Sequence, residues 1–139
     1  MIVKLHRDED VNEFSKLVGD ILPNDAVVVQ SAELYPLLSV ASVGITTAST
    51  AGLEALLFGT PLVILNSGNR PDFYPFSTSG PAVAAANAEE LKLAIVQQLD
   101  CSPELSQRID SFCRDETFEA DGLAYERVFR LAQETLSST

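Results

Sequence analysis

The chain predicts an α/β fold, a three-layer αβα sandwich around a parallel sheet of about five strands. Three observations lead there. Short apolar runs alternate with longer segments of helical periodicity along the 139 residues. The runs are apolar on both faces, as strands covered by helices on both sides must be. Breakers such as Pro23-Asn24-Asp25 and Gly59 stand where one kind of segment gives way to the other.

The elements follow in order. Ile2–Leu5 reads as a first strand. Over Glu9–Leu22, residues Val11, Phe14, Leu17, Val18 and Leu22 recur at near-helical spacing, with Asp8 or Asp10 as the cap. Ala26–Gln30 is β-branched and strand-like. Glu33–Ala41 is a short helix around Leu34, Leu37 and Leu38, with Pro36 in its tolerant first turn. Val43–Thr46 is the third strand, Thr50–Phe58 a helix ended by Gly59, and Pro61–Leu65 the fourth strand. Asn66–Ser79 reads as a loop and Pro81–Ala85 as a short fifth strand. In Asn87–Leu99, Asn87 caps the helix, Glu90 takes its third position, and Leu91, Ile95 and Leu99 form the stripe. Pro103–Cys113 is a further helix. Asp121–Leu136 closes the chain, with Leu123, Val128, Leu131, Ala132 and Leu136 expected to face inward.

This order predicts a single Rossmann-like domain over 1–139, and the length fits one core. Such sheets bind ligands outside the carboxyl ends of their strands. There the residues after Leu5, the Thr46–Thr50 junction and the loop after Leu65 would meet.

Composition narrows the partners. Twenty acidic against nine basic residues give a net charge of −11, and the nine are scattered. A nucleic-acid or anionic-membrane surface needs concentrated positive charge, so neither is expected. A small phosphorylated ligand held by backbone amides is still allowed. No apolar run reaches the roughly 20 residues that span a bilayer. Cys101 and Cys113 lack metal-ligand spacing, which suggests a reducing, cytoplasmic setting without disulfides or a bound metal.

The most informative stretch runs Thr46-Thr47-Ala48-Ser49-Thr50-Ala51-Gly52-Leu53-Glu54 and on to Gly59-Thr60-Pro61. Small hydroxyl residues stand where a strand passes into a helix, and a helix start carries unpaired N–H groups and a favourable dipole for an anion. Thr47, Ser49 and Thr50 are phosphate candidates, and Gly52 would let the backbone approach closely. The plainer reading is that Ser49 or Thr50 caps the helix, and one end can do both. Glu54 sits in a helix apolar nearly all round, where a carboxylate is costly to bury alone. It is placed to accept hydrogen bonds from two ribose hydroxyls; a salt bridge or a solvated face is the alternative.

His6, the one histidine, ends the first strand and is a candidate for a phosphate contact or for acid–base chemistry. In the loop after Leu65, Arg70 and Asp72 are candidate ligand groups, and Tyr74 is placed to stack on a base. The chain has neither a GxGxxG fingerprint nor a GxxxxGK[ST] loop. A triad from Ser49 and His6 lacks the GxSxG elbow.

Lys4-Leu5-His6 at the first strand end, the helix around Leu34–Ala41 and the string Gly44-Ile45-Thr46-Thr47 through Asn66 together resemble the carboxyl-terminal, donor-binding domain of GT-B glycosyltransferases. Capsule and teichoic-acid-type transferases, bacterial polysialyltransferases and UDP-N-acetylglucosamine 2-epimerases are the similar groups. The terminal Asp121–Leu136 segment resembles the last helices of such domains. The resemblance implies phosphate contacts at Ser49, Thr50 and His6 and a ribose contact at Glu54. Arg7 stands where many relatives have proline. The implied ligand is a UDP- or CDP-type nucleotide sugar, without a further cofactor.

GT-B enzymes work in a cleft between two such domains, so an N-terminal GT-B-like domain or a partner subunit is expected. The isolated chain should bind nucleotide weakly and turn over little or nothing. A homodimer through apolar surface at the ligand edge, with Phe73, Tyr74 and Phe76, is a further expectation. The rival reading is a non-catalytic interaction module that keeps the fold without the nucleotide.

Overall fold

The computed structural model describes residues 1–47, 49–68, 74–117, 119 and 121–137. It is a mixed α/β structure that divides into two compact units, Met1–Val40 and Ala41–Thr139.

In the first unit β1 (Ile2–Lys4) and β2 (Val27–Val29) pair in parallel, with Val3 opposite Val28. Helix α1 (Val11–Val18) is shorter than its periodicity suggests. Asp10 starts it, its carboxylate accepting the N–H groups of Asn12 at 2.7 Å and Glu13 at 3.0 Å. Helix α2 (Leu34–Leu38) spans five residues and buries Leu38.

In the second unit β3 (Gly44–Thr46), β4 (Leu62–Leu65) and β5 (Ala82–Ala85) form a parallel sheet in the order β3-β4-β5. Helix α3 (Ala51–Leu57) connects β3 to β4, and Gly59 ends it at φ +71°, a left-handed conformation that costs glycine little. On β4, Leu62 lies against Gly52 of α3, whereas the neighbouring Val63 packs with Ala85 and with Ala94 of α4 (Ala88–Leu99). Successive strand residues point to opposite faces. Helices therefore cover both faces of the sheet at β4.

The single sheet of about five strands is not what forms: the strands divide into sheets of two and three. Apolar patterning reports that a strand seeks cover; it carries no information on which neighbour its N–H and C=O groups pair with. Nor is the cover two-sided everywhere. Leu62, Val63 and Ile64 are buried, but Ile2, Val27 and Ile45 stay 51%, 53% and 49% exposed.

Local signals hold well. Asn87 Oδ1 accepts the Glu90 N–H at 3.0 Å, and the Glu90 carboxylate returns to Asn87 Nδ2 and to the Ala86 N–H, both at 2.8 Å. The inward stripe of α4 is Leu91, Ala94, Ile95 and Gln98; Leu99, expected to be part of it, is exposed. Helix α4 ends at Asp100, and Cys101 follows in a left-handed conformation, φ 42°. A Cβ is strained there, so Cys101→Gly should raise stability by about 0.5 kcal/mol, after allowing for the larger chain entropy glycine loses. An unchanged or lowered urea midpoint would contradict that conformation.

Helix α5 (Pro103–Thr117) opens with Ser102 Oγ accepting the Leu105 N–H at 3.2 Å. The Glu104 carboxyl is held below the usual range by its own backbone N–H and by the Ser102 hydroxyl. Leu105, Ile109 and Phe112 of α5 are buried. Helix α6 (Ala124–Ser137) departs from expectation. It has no buried residue, and Leu123, Val128, Leu131, Ala132 and Leu136 are exposed rather than inward. A stripe shows that a face seeks cover, and cover from another chain leaves the same stripe. Among the described residues no helix is long and apolar enough to cross a membrane.

Candidate functional site

The carboxyl ends of β3, β4 and β5 define one edge of the second unit, and α3 rises from it. Thr47 and Thr50 are exposed there and Ser49 is half-buried. Ser49 Oγ accepts the Ala51 N–H at 3.2 Å, while Ser49 O takes the Gly52 N–H at 3.0 Å and Thr50 O the Glu54 N–H at 3.2 Å. Ser49 therefore acts as the cap. Thr50, at the cap position in helical conformation, makes no capping bond with its side chain. Thr47 and Thr50 are the exposed hydroxyl residues of this junction.

Glu54 stands four residues after Thr50, on the same face of α3, and helical side chains lean toward the N-terminus. It is half-buried, and its carboxylate has no hydrogen-bond or ion-pair partner among the described residues. The salt-bridge alternative is not realised among those residues. The edge thus offers two hydroxyl donors and, about one turn behind them, an acceptor that no described residue neutralises.

Gly52 does something else. A Cβ placed on it would lie 3.1 Å from Phe76 Cε2 and 3.2 Å from Leu62 Cδ2. Its missing side chain lets α3 settle onto β4 and onto a buried ring; it faces the core. Phe76 is 2% exposed, with its ring centroid 5.3 Å from Tyr74 and 5.7 Å from Phe112. Phe76 was expected in an exposed association surface, and this packing overturns that. Tyr74, the base-stacking candidate, is half-buried with its ring against Phe76. Arg70, Asp72 and Phe73 lie outside the described residues.

His6 belongs to the first unit, at the end of β1. Its Nδ1 accepts the Asp8 backbone N–H at 3.3 Å and lies 3.3 Å from Asp8 Oδ2, and its backbone N–H donates to Glu9 Oε2 at 2.6 Å. The Gln30 amide, from the end of β2, donates to the carbonyls of His6 and Arg7 at 3.2 Å each and to that of Glu9. Lys4 Nζ donates to Leu5 O at 2.8 Å and to Gln30 O at 2.7 Å. This knot fixes the turn that carries His6. Sequence reasoning missed Gln30 and Lys4, although polar residues closing two apolar strands at one edge were the available signal. The α1 mouth is already filled by the Asp10 carboxylate, and the carboxylates of Asp8 and Glu9 lie against His6.

Sequence reasoning also missed a cleft of about 240 Å³ between the C-terminal end of α3 and α5, lined by Leu56, Leu57, Asp110, Cys113 and Arg114 among others. Burial and the neighbouring Asp110 push the Cys113 thiol up, which keeps it protonated and poorly nucleophilic. No group of three or more His, Cys, Asp or Glu among the described residues is placed to hold a metal ion. No family model, curated protein or solved structure matches this chain.

Proposed function

We propose that this chain is the donor-nucleotide-binding part of a GT-B-type glycosyltransferase or epimerase, with the acceptor site on another domain or subunit. One observation carries the reading: Glu54, half-buried and without a partner among the described residues, behind the exposed Thr47 and Thr50 at the carboxyl edge of a parallel sheet. The resemblance of the Thr46–Pro61 string supports it. In this arrangement two ribose hydroxyls donate to the Glu54 carboxylate. The phosphates take hydrogen bonds from Thr47 and Thr50, a helical turn away, so that like charges stay apart. Gly52 contributes by seating α3. The resemblance adds His6 as a phosphate contact; its imidazole lies against Asp8 within its own unit, and the proposal rests on the second unit.

A UDP- or CDP-type nucleotide sugar is the expected ligand. The isolated chain should show little or no turnover, because half a cleft leaves the reacting bond in water. Titration of the chain with UDP, CDP and UDP-N-acetylglucosamine, followed by NMR, should show weak saturable shifts at residues 47–54. Glu54→Gln should weaken that binding by about tenfold or more, since a hydrogen bond to a charged acceptor contributes roughly 1.5–3 kcal/mol. Unchanged affinity in Glu54→Gln would remove the assigned role. Absence of any saturable shift at millimolar nucleotide favours the interaction module, which the exposed Leu57 and Phe58 of this unit would also suit.

A further inference from the structure

Helix α6 is 14 residues long, and every residue of it but the half-buried Arg127 is solvent-exposed. Isolated helices of that length are marginal in water, so its apolar face needs a covering surface. At about 100° per residue, Val128, Tyr125, Leu136 and Phe129 fall within roughly 60° of Ala132. The charged Glu126, Arg127, Arg130 and Glu134 all lie about 120° or more from it by the same count. The start of the helix is fastened separately. Arg127 Nη1 donates to both Asp121 oxygens at 2.9 and 2.8 Å and to Glu119 at 3.2 Å. Gly122 turns the chain at φ +77°.

We propose that the α6 face is covered by the same face of a second copy, in an antiparallel two-fold pair centred on Ala132. In that register Val128 meets Leu136 of the second copy, and Ala132 meets itself. A small residue then stands where the helices cross, and no charge is desolvated. A two-fold interface requires a patch that complements itself, which an uncharged apolar seam with this spacing does. The exposed parts of the seam residues Tyr125, Val128, Phe129 and Leu136 sum to on the order of 500 Å² per copy, so a pair covers up to about 1,000 Å², the lower limit for a specific interface. Repulsion between two chains of net charge −11 acts from outside the seam and is screened by salt, so the pair tightens as salt rises.

Sedimentation equilibrium of the full chain tests this. The expected result is twice the 15.0 kDa chain mass, with Phe129→Lys and Val128→Lys returning to the single-chain mass. Both positions are exposed, and far-UV dichroism of the variants should fall by no more than the helicity of α6 itself, which shows that the rest of the fold survives. In a Cys101→Ser, Cys113→Ser background, Ala132→Cys should form a disulfide-linked dimer on oxidation and Glu126→Cys should not. A wild-type monomer at every concentration overturns the proposal, and α6 is then covered in its own chain or by a different protein. A dimer that survives both lysine variants, or that cross-links at 126 and not at 132, overturns it as well. None of these readouts involves nucleotide, so the proposal fails or stands apart from the binding reading.

Discussion

Phe76→Ala is expected to destabilise the Ala41–Thr139 unit by about 3–5 kcal/mol, the range for removing a buried aromatic side chain. The ring is 2% exposed and fills the space between three partners: the Tyr74 ring, the Phe112 ring of α5 and the bare Cα of Gly52 on α3. Removing it opens a cavity where helix, helix and loop meet. Its backbone adds a second tie, Phe76 O accepting the Ala82 N–H at 3.0 Å ahead of β5. Relaxation of α3 into the void would move Thr50 and Glu54, so any nucleotide binding should fall along with stability. Urea unfolding gives the value directly. A loss below about 1 kcal/mol would mean that the three surfaces close over the gap, against the rigidity expected of close-packed interiors.

Gln98→Ala should cost about 2–4 kcal/mol, from a lost buried hydrogen bond and a cavity together. Gln98 is 1% exposed on the inward face of α4, and its Nε2 donates to Leu62 O at 2.7 Å, at the start of β4. That bond ties α4 to the central strand at a point where an apolar side chain would leave the carbonyl without this donor. Gln98→Met separates the two contributions. It keeps most of the volume and loses the donor, so about 1–2 kcal/mol should go in urea unfolding. Equal losses in the two variants would show that packing contributes nothing at this position.

Gln98 also shows where reading the sequence stops. The stripe of α4 was read from its apolar residues as Leu91, Ile95 and Leu99, yet a glutamine takes the last inward place and Leu99 faces water. Its partner is 36 residues away, and no local pattern announces a carbonyl waiting at that distance. Gln30 is a parallel case, holding the His6 turn across 24 residues. Phe76 looked like a loop aromatic at the ligand edge because its environment, Gly52 and Phe112, comes from two helices on either side of it in sequence. For the candidate site the division is similar. The Ser49 cap was legible as an alternative and is realised. Glu54 was legible as an anomaly, and the structure leaves its carboxylate unpartnered among the described residues. Gly52 reads in the sequence as room for a ligand, and the space its missing Cβ leaves among the described residues is taken by the Phe76 ring.

The sequence by itself determined the α/β class, the placement of the five strands and six helices of the described residues to within a turn or so, and the Asn87–Glu90 cap; it left the α1 cap open between Asp8 and Asp10. These depend on side-chain period and on hydrogen bonds that close within four residues, so the chain carries their instructions locally. Tertiary structure alone decided that the strands divide into sheets of two and three, that Phe76 and Gln98 belong to the core, and that the apolar face of α6 stands open. The reason is that burial and strand pairing are relations between distant segments. An apolar residue encodes the demand for a partner, and only the assembled chain shows which partner meets it.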